Sequence, residues 1–302
     1  MTSFILIMKF TTLCFAVIGF ALPLSGQIPL APGAELKLVA DGFAFTEGPA
    51  ADAAGNVYFT DQPNDRIMRW DAESGEISTF MQPAGRANGL YFDNKGRLIA
   101  CADEQSELWR IDVKTKKIEV LVDHFEGKLL NAPNDVWVHP NGGIYFTDPF
   151  YKRKYWKGRD APEQEKERVY FLAKGAEELV VADEDFVRPN GVVGSADGKV
   201  LYVADIGDKK TYRYDIAPDG KLVNRKLFCE MGSDGMTLDK HGNLYLTGNG
   251  ITVFDKSGKL LGSIPSAKKR TSNVCFGGSE GNTLFITARD SVFVIEMDQT
   301  FK

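Results

Sequence analysis

Short runs of alternating apolar and polar residues fill the chain from about residue 35 to its end, and glycine-bearing turns separate them. A run, a turn with glycine and a second run recur together, with the turn glycines at Gly55, Gly96, Gly142, Gly198, Gly242 and Gly281. The second runs are VYFTD (57–61), LIACAD (98–103), IYFTD (144–148), LYVAD (201–205), LYLTG (244–248) and LFITA (284–288). Period-two alternation rich in Tyr, Phe, Val and Ile predicts strands, and each pair predicts a hairpin. Third runs follow: RIMRW (66–70), ELWRI (107–111), RVYFL (168–172), TYRYD (211–215), ITVFD (251–255) and SVFVI (291–295). Fourth runs such as KIEVLV (117–122) and EELVVA (177–182) are weaker. Four strands in a repeat of about 45 residues make the blade of a β-propeller. The expected fold is therefore all-β, a six-bladed propeller over residues 27–302. A pair of β-sandwiches would give no reason for the repeat.

The ends of the repeat bear on how the ring closes. The last repeat has three clear strands, and an unassigned run, ELKLVA (35–40), precedes the first. Placing that N-terminal strand at the outside of the sixth blade ties the two ends together and leaves no open ring gap.

Residues 1–26 have a different character. Lys9 is their only charge, and an apolar run follows from Thr12 to Leu24. This reads as a signal peptide, with export to the periplasm or the medium and no stable membrane association after cleavage. An uncleaved anchor is the alternative. Three cysteines remain beyond it, Cys101, Cys229 and Cys275, an odd number that builds no complete disulfide framework.

Composition narrows the chemistry. The net charge of −5 argues against nucleic-acid partners. Only three histidines are present, and no G-x-S-x-G elbow, so a Ser-His-Asp triad is not expected. The residues that open each inner strand carry oxygen instead: Glu47, Asn88, Asn134, Asn190, Asp234 and Asn273. Inner strands line the channel of a propeller, so six oxygen-bearing side chains are expected to ring one mouth. Such a set suits one hard divalent cation such as calcium, magnesium or manganese, and zinc less well because no histidine or cysteine opens an inner strand. The aspartates ending the second strands, Asp61, Asp103 and Asp148, are expected to bind backbone amides. Asp205 is similar but is also a candidate base. The widest gap between turns holds an insertion, 150–168, with Tyr151, Tyr155 and Trp156 among many charges. It reads either as a lid over the mouth or as a solvated loop or short surface helix.

Several of these stretches resemble a known family. FTEGPA (45–50), GRANGL (85–90), NAPNDVWVHPNGGIYFTDP (131–149), RPNGV (188–192), YVADIG (202–207) and SDGMTLD (233–239) are similar to the senescence-marker-protein/gluconolactonase/luciferin-regenerating-enzyme family, and to its bacterial gluconolactonases in particular. The resemblance implies a six-bladed propeller with a divalent metal held by Glu47, Asn134, Asn190 and Asp234. It implies hydrolysis of a small-molecule lactone, with Asp234 moving the proton and Asp205 as second candidate. Asn134 and Asn88 would touch substrate. Where the animal branch carries a substrate-binding arginine this chain has Ala132, and Arg86 is the expected substitute. The alternatives are a propeller that binds a partner around a structural metal, and a hydrolase of other esters or phosphotriesters.

Overall fold

A computed structural model describes residues 28–266, 268 and 270–301. The expected signal peptide, 1–26, lies outside the described residues. Twenty-four of the described strands pair into six four-stranded antiparallel sheets. The first blade runs through Thr46–Ala51, Val57–Asp61, Arg66–Trp70 and Ile77–Met81 from the axis outward. The next four follow the same order, with innermost strands Ala87–Phe92, Val136–Val138, Pro189–Gly194 and Met236–Leu238. Each innermost strand packs against the next, and that of the sixth blade, Asn273–Gly277, packs against Thr46–Ala51. The ring is closed, as the repeat predicts.

Closure comes from the N-terminal strand. Lys37–Asp41 pairs antiparallel with Ser291–Glu296 and forms the outer strand of the sixth blade. Without it, Ser291–Glu296 would present an unpaired edge. Aromatic contacts fill the seams between blades: Tyr58 on Phe92, Phe228 on Phe254, Tyr245 on Phe276, and Phe59 on Phe285 across the closure.

Two features depart from the simple repeat. A small hairpin, His124–Phe125 with Lys128–Leu129, projects between the second and third blades. The insertion forms no helix; residues 150–167 are irregular and bring Tyr151 and Arg153 to the channel mouth, and Arg168 opens the next strand. The three described cysteines are free thiols, two of them buried. Among the described residues no helix is long and apolar enough to cross a membrane.

Candidate active site

Glycines after the first residues of the inner strands let those strands crowd the axis. At Gly48, whose φ is +48°, a Cβ would stand 2.1 Å from the Asn88 carbonyl oxygen. At Gly89 it would stand 2.6 Å from that of Asn134, to which the Gly89 N–H donates at 2.7 Å. Only glycine allows such approach. Threonines at the ends of the second strands fix the same carbonyls. Thr60 donates to the Asn88 oxygen at 3.0 Å, and Thr147 to that of Asn190 at 2.7 Å. The threonine recurs in FTD, FTD, LTG and ITA, a signal present in the sequence but not used above.

This crowding brings five of the six expected side chains to one mouth. Glu47, Asn88, Asn134, Asn190 and Asp234 line a cavity of about 810 Å³ together with Tyr151 and Arg153 of the insertion. Asn273 stands deeper: it lines the cavity at the opposite end of the channel, and its side chain bonds the Glu47 and Asp135 carboxyls from that side. Strand register gives the reason. In blade one Glu47 pairs with Thr60 but Ala50 with Tyr58, an inserted residue that turns the strand start. Blades two and four carry the same irregularity, between Ala87 and Leu90 and between Pro189 and Val192. In blades three and five the ladder begins only at Val136 and Met236. Asn273 is paired regularly with Thr287, and its Oδ1 accepts from the Val274 N–H at 2.8 Å. Its N–H donates to the Thr287 hydroxyl as that of Asp135 does to Thr147, so Asn273 is the counterpart of Asp135, one residue beyond the mouth position.

The acids at the mouth are buried and close. Burial holds the Glu47 carboxyl well above its usual range, and Asp234 pushes it further. Burial also raises Asp234, against the pull of Arg270 at 3.5 Å and of the Asn190 amide. Asn190 Nδ2 donates to Asp234 Oδ1 at 2.9 Å and to the Tyr151 hydroxyl at 3.0 Å. With both amide hydrogens used, Asn190 Oδ1 remains an acceptor. Tyr151 stacks between the Arg153 and Arg188 guanidiniums, and burial pushes its phenol up to about 12. Two mutually repelling carboxylates with amide oxygens around them form a donor set that fits a hard divalent cation. No group of three or more His, Cys, Asp or Glu gathers among the described residues, so amides must complete any such site.

Two expected site residues stand elsewhere. Asp205 is 1% exposed, and both its oxygens are filled by backbone amides: Val187 and Arg188 at 2.8 Å, Gly207 and Asp208 at 3.0 Å. It is not part of the cavity wall and serves to pin the chain before Asn190. Arg86 is not part of the cavity wall. It donates to the Pro63 carbonyl at 2.6 Å, pairs with Glu104 and lies over the Tyr155 ring.

Asp61 and Asp148 bind backbone amides in the expected way, Ala44 with Phe45 and Asn131 with Ala132. Asp103 departs from the pattern. In blade two the Arg86 N–H, one of the two corresponding amides, is taken by Asp65, together with that of Ala84. Asp103 is thereby free to bind the insertion, accepting from Arg153 Nε at 2.8 Å and the Tyr155 hydroxyl at 2.7 Å. Sequence reasoning also passed over Lys268, Arg270, Arg289 and Asp290, which complete the cavity wall. They lie in connections outside the repeated strand starts, where the motif gives no signal.

Comparison with known proteins adds a family. The family model of the SMP-30/Gluconolactonase/LRE-like region matches residues 45–290. The chain is 29% identical over 286 residues to a gluconolactonase of Zymomonas mobilis, covering 85% of this chain and 80% of that protein. It is 26% identical over 279 residues to a diisopropyl-fluorophosphatase of Loligo vulgaris, covering 81% and 86%. A solved gluconolactonase of Xanthomonas campestris is similar with a TM-score of 0.82 at 29% identity, covering 89% of this chain and 91% of that one.

Proposed function

The chain belongs to the SMP-30/gluconolactonase/LRE-like family, and from that premise we propose that it hydrolyses lactones at the Glu47–Asp234 mouth with one bound divalent cation, calcium first. The observation that carries this reading is the pair of buried acids. Burial raises the proton affinity of both, and Asp234 raises that of Glu47 further, in a cavity whose inner wall is otherwise the Asn88, Asn134 and Asn190 amides. Such an arrangement is costly by itself and is relieved by a cation. Glu47, Asn134, Asn190 and Asp234 would hold it, and when bound it would polarise the lactone carbonyl as a Lewis acid.

The side chains supply the remaining steps. Water attacks the carbonyl carbon and the ring carbon–oxygen bond breaks. Asp234 is the base that takes the proton from water, and it returns that proton to the leaving ring oxygen, giving the hydroxy acid. Burial raises its proton affinity toward working pH, and the Asn190 amide fixes its Oδ1. Tyr151 stays protonated; its oxygen accepts from Asn190, so its O–H is left to donate to substrate. Asn88 and Asn134 present amides to the substituents of the ring.

A panel of lactones assayed with and without chelator, on the wild type, Glu47→Gln and Asp234→Asn, tests this. Turnover that needs a divalent cation and collapses in both variants is expected. Cation-independent turnover, or full activity in both variants, overturns the proposed site. The similarity to a diisopropyl-fluorophosphatase makes diisopropyl fluorophosphate, a fluorinated phosphodiester, the natural additional substrate. Turnover of that compound with none of any lactone would replace the lactonase reading.

A further inference from the structure

We propose that the lactones taken at this site carry a negative charge remote from the ring carbonyl, and that Arg270 and Arg289 hold it. This inference rests on the lactonase reading above. The chain is acidic overall, with a net charge of −5, yet four cations stand in the cavity wall: Arg153, Lys268, Arg270 and Arg289. Two are neutralised in place, Arg153 by Asp103 at 2.6 Å and Lys268 by Asp290 at 2.9 Å. The other two are less fully paired. Arg270 reaches Asp234 only at 3.5 Å, and 52% of its side chain is exposed. The Arg289 guanidinium has neither an ion pair nor a hydrogen bond among the described residues.

Arg289 is held in position by its backbone. It occupies the turn between Thr283–Ala288 and Ser291–Glu296 at a φ of 57°. Its carbonyl accepts from the Thr46 N–H at 2.6 Å and from the Thr46 hydroxyl at 3.0 Å. Thr46 precedes Glu47, so the turn that carries the guanidinium is tied directly to the acid at the mouth.

A neutral sugar lactone is satisfied by hydroxyl and amide partners and offers no charge to the unpaired Arg289 or the loosely paired Arg270. A carboxylate, phosphate or sulfonate makes charge-assisted, often bidentate bonds with them. Like charge bars such a group from the Glu47–Asp234 side, so the same two arginines also orient the ring carbonyl toward the acids. Cations in a concave wall further raise the local concentration of anionic substrate.

The test compares three substrates on the calcium-supplemented full chain: gluconolactone, its phosphate ester at the primary hydroxyl, and glucarolactone, which carries a carboxylate there. The anionic lactones are expected to exceed gluconolactone in kcat/KM by about tenfold or more, chiefly through KM. That ratio is expected to shrink as salt is raised, and to approach one in Arg289→Gln, in Arg270→Gln and most fully in the pair. A preference for phosphate alone or carboxylate alone identifies which anion the arginines fit. Equal or better turnover of gluconolactone, or a ratio indifferent to both substitutions, overturns the inference and leaves the lactonase reading standing. No turnover of any of the three removes both.

Discussion

The side-chain amide of Asn190 donates one hydrogen to Asp234 Oδ1 at 2.9 Å and the other to the Tyr151 hydroxyl. The hydrogen bond aligns a neutral donor with an acid that must stay available, and leaves Asn190 Oδ1 as a cation ligand. Asn190→Asp turns that donor into a third carboxylate. The variant is expected to melt lower than the wild type in chelator and to gain more stability from added calcium, since ligand binding to the folded state stabilises in proportion to affinity. Thermal melts across a calcium titration check this. Equal calcium shifts in the two proteins would remove Asn190 from the ligand set.

Glu47 is expected to separate stability from activity. Its carboxyl is buried and opposed by Asp234, so its charge costs the metal-free fold. Glu47→Gln keeps an acceptor for the Gly48 N–H, which now binds Glu47 Oε2 at 2.8 Å, and deletes the charge. In chelator the variant should melt higher, by about 2–4 °C for each kcal/mol relieved. With calcium its lactone turnover should fall by about a hundredfold or more. Differential scanning in chelator and initial rates with calcium give the two readouts. A variant that is destabilised in chelator would show that protein contacts, rather than a cation, offset the Glu47 charge.

The contrast between Glu47 and Asn273 shows how much of the site was legible in the sequence. Both open an inner strand, and the repeat correctly assigned the strand and the end of the blade. In blade six the counterpart of the mouth residue is Ser272, whose carbonyl accepts from Thr247 as that of Asn190 does from Thr147, and Asn273 falls one position further in. One-residue register shifts leave no clear mark in the pattern of apolar and polar positions. Asp103 teaches a similar lesson: its repeat position matches Asp61 and Asp148, but Asp65, from a neighbouring blade, already holds the Arg86 amide it would have bound. Arg270 and Arg289 come from connections whose direction only the folded ring determines.

Asp103 anchors the insertion, and its removal should loosen the mouth without opening the ring. The side chain binds Arg153 and Tyr155, and its backbone carbonyl accepts from the Trp156 indole at 3.3 Å. Asp103→Ala leaves the Arg153 guanidinium without its partner. Limited proteolysis should cut within 150–168 faster than in the wild type. KM for the lactone should rise by about tenfold while kcat changes less, because Tyr151 and Arg153 line the cavity and hold substrate. An unchanged cleavage pattern would place the anchorage elsewhere, in Arg159 on the Leu130 and Asn131 carbonyls and Gln164 on those of Phe125, Lys128 and Leu129.

Asp148 makes the fold itself sensitive to pH. Burial pushes its carboxyl up to about 7, Glu167 adds to the push, and the Asn131 and Ala132 N–H groups with Arg159 pull it back. An unfolded aspartate titrates near 4. Between those limits the folded chain keeps a proton at Asp148 that the unfolded chain has released, so folding takes up a proton. Stability from this residue therefore falls as pH rises from about 4 to about 7, and then levels. The shift sets an upper bound of about 4 kcal/mol on the change. Asp148→Asn has no such titration, so subtracting the wild-type stability from that of the variant isolates the effect from every other carboxylate. Urea unfolding of both proteins across that window should give a difference that climbs with pH in favour of the variant. A flat difference would mean an ordinary carboxyl. A difference that falls with pH would mean that the two backbone N–H groups outweigh burial and hold Asp148 ionised.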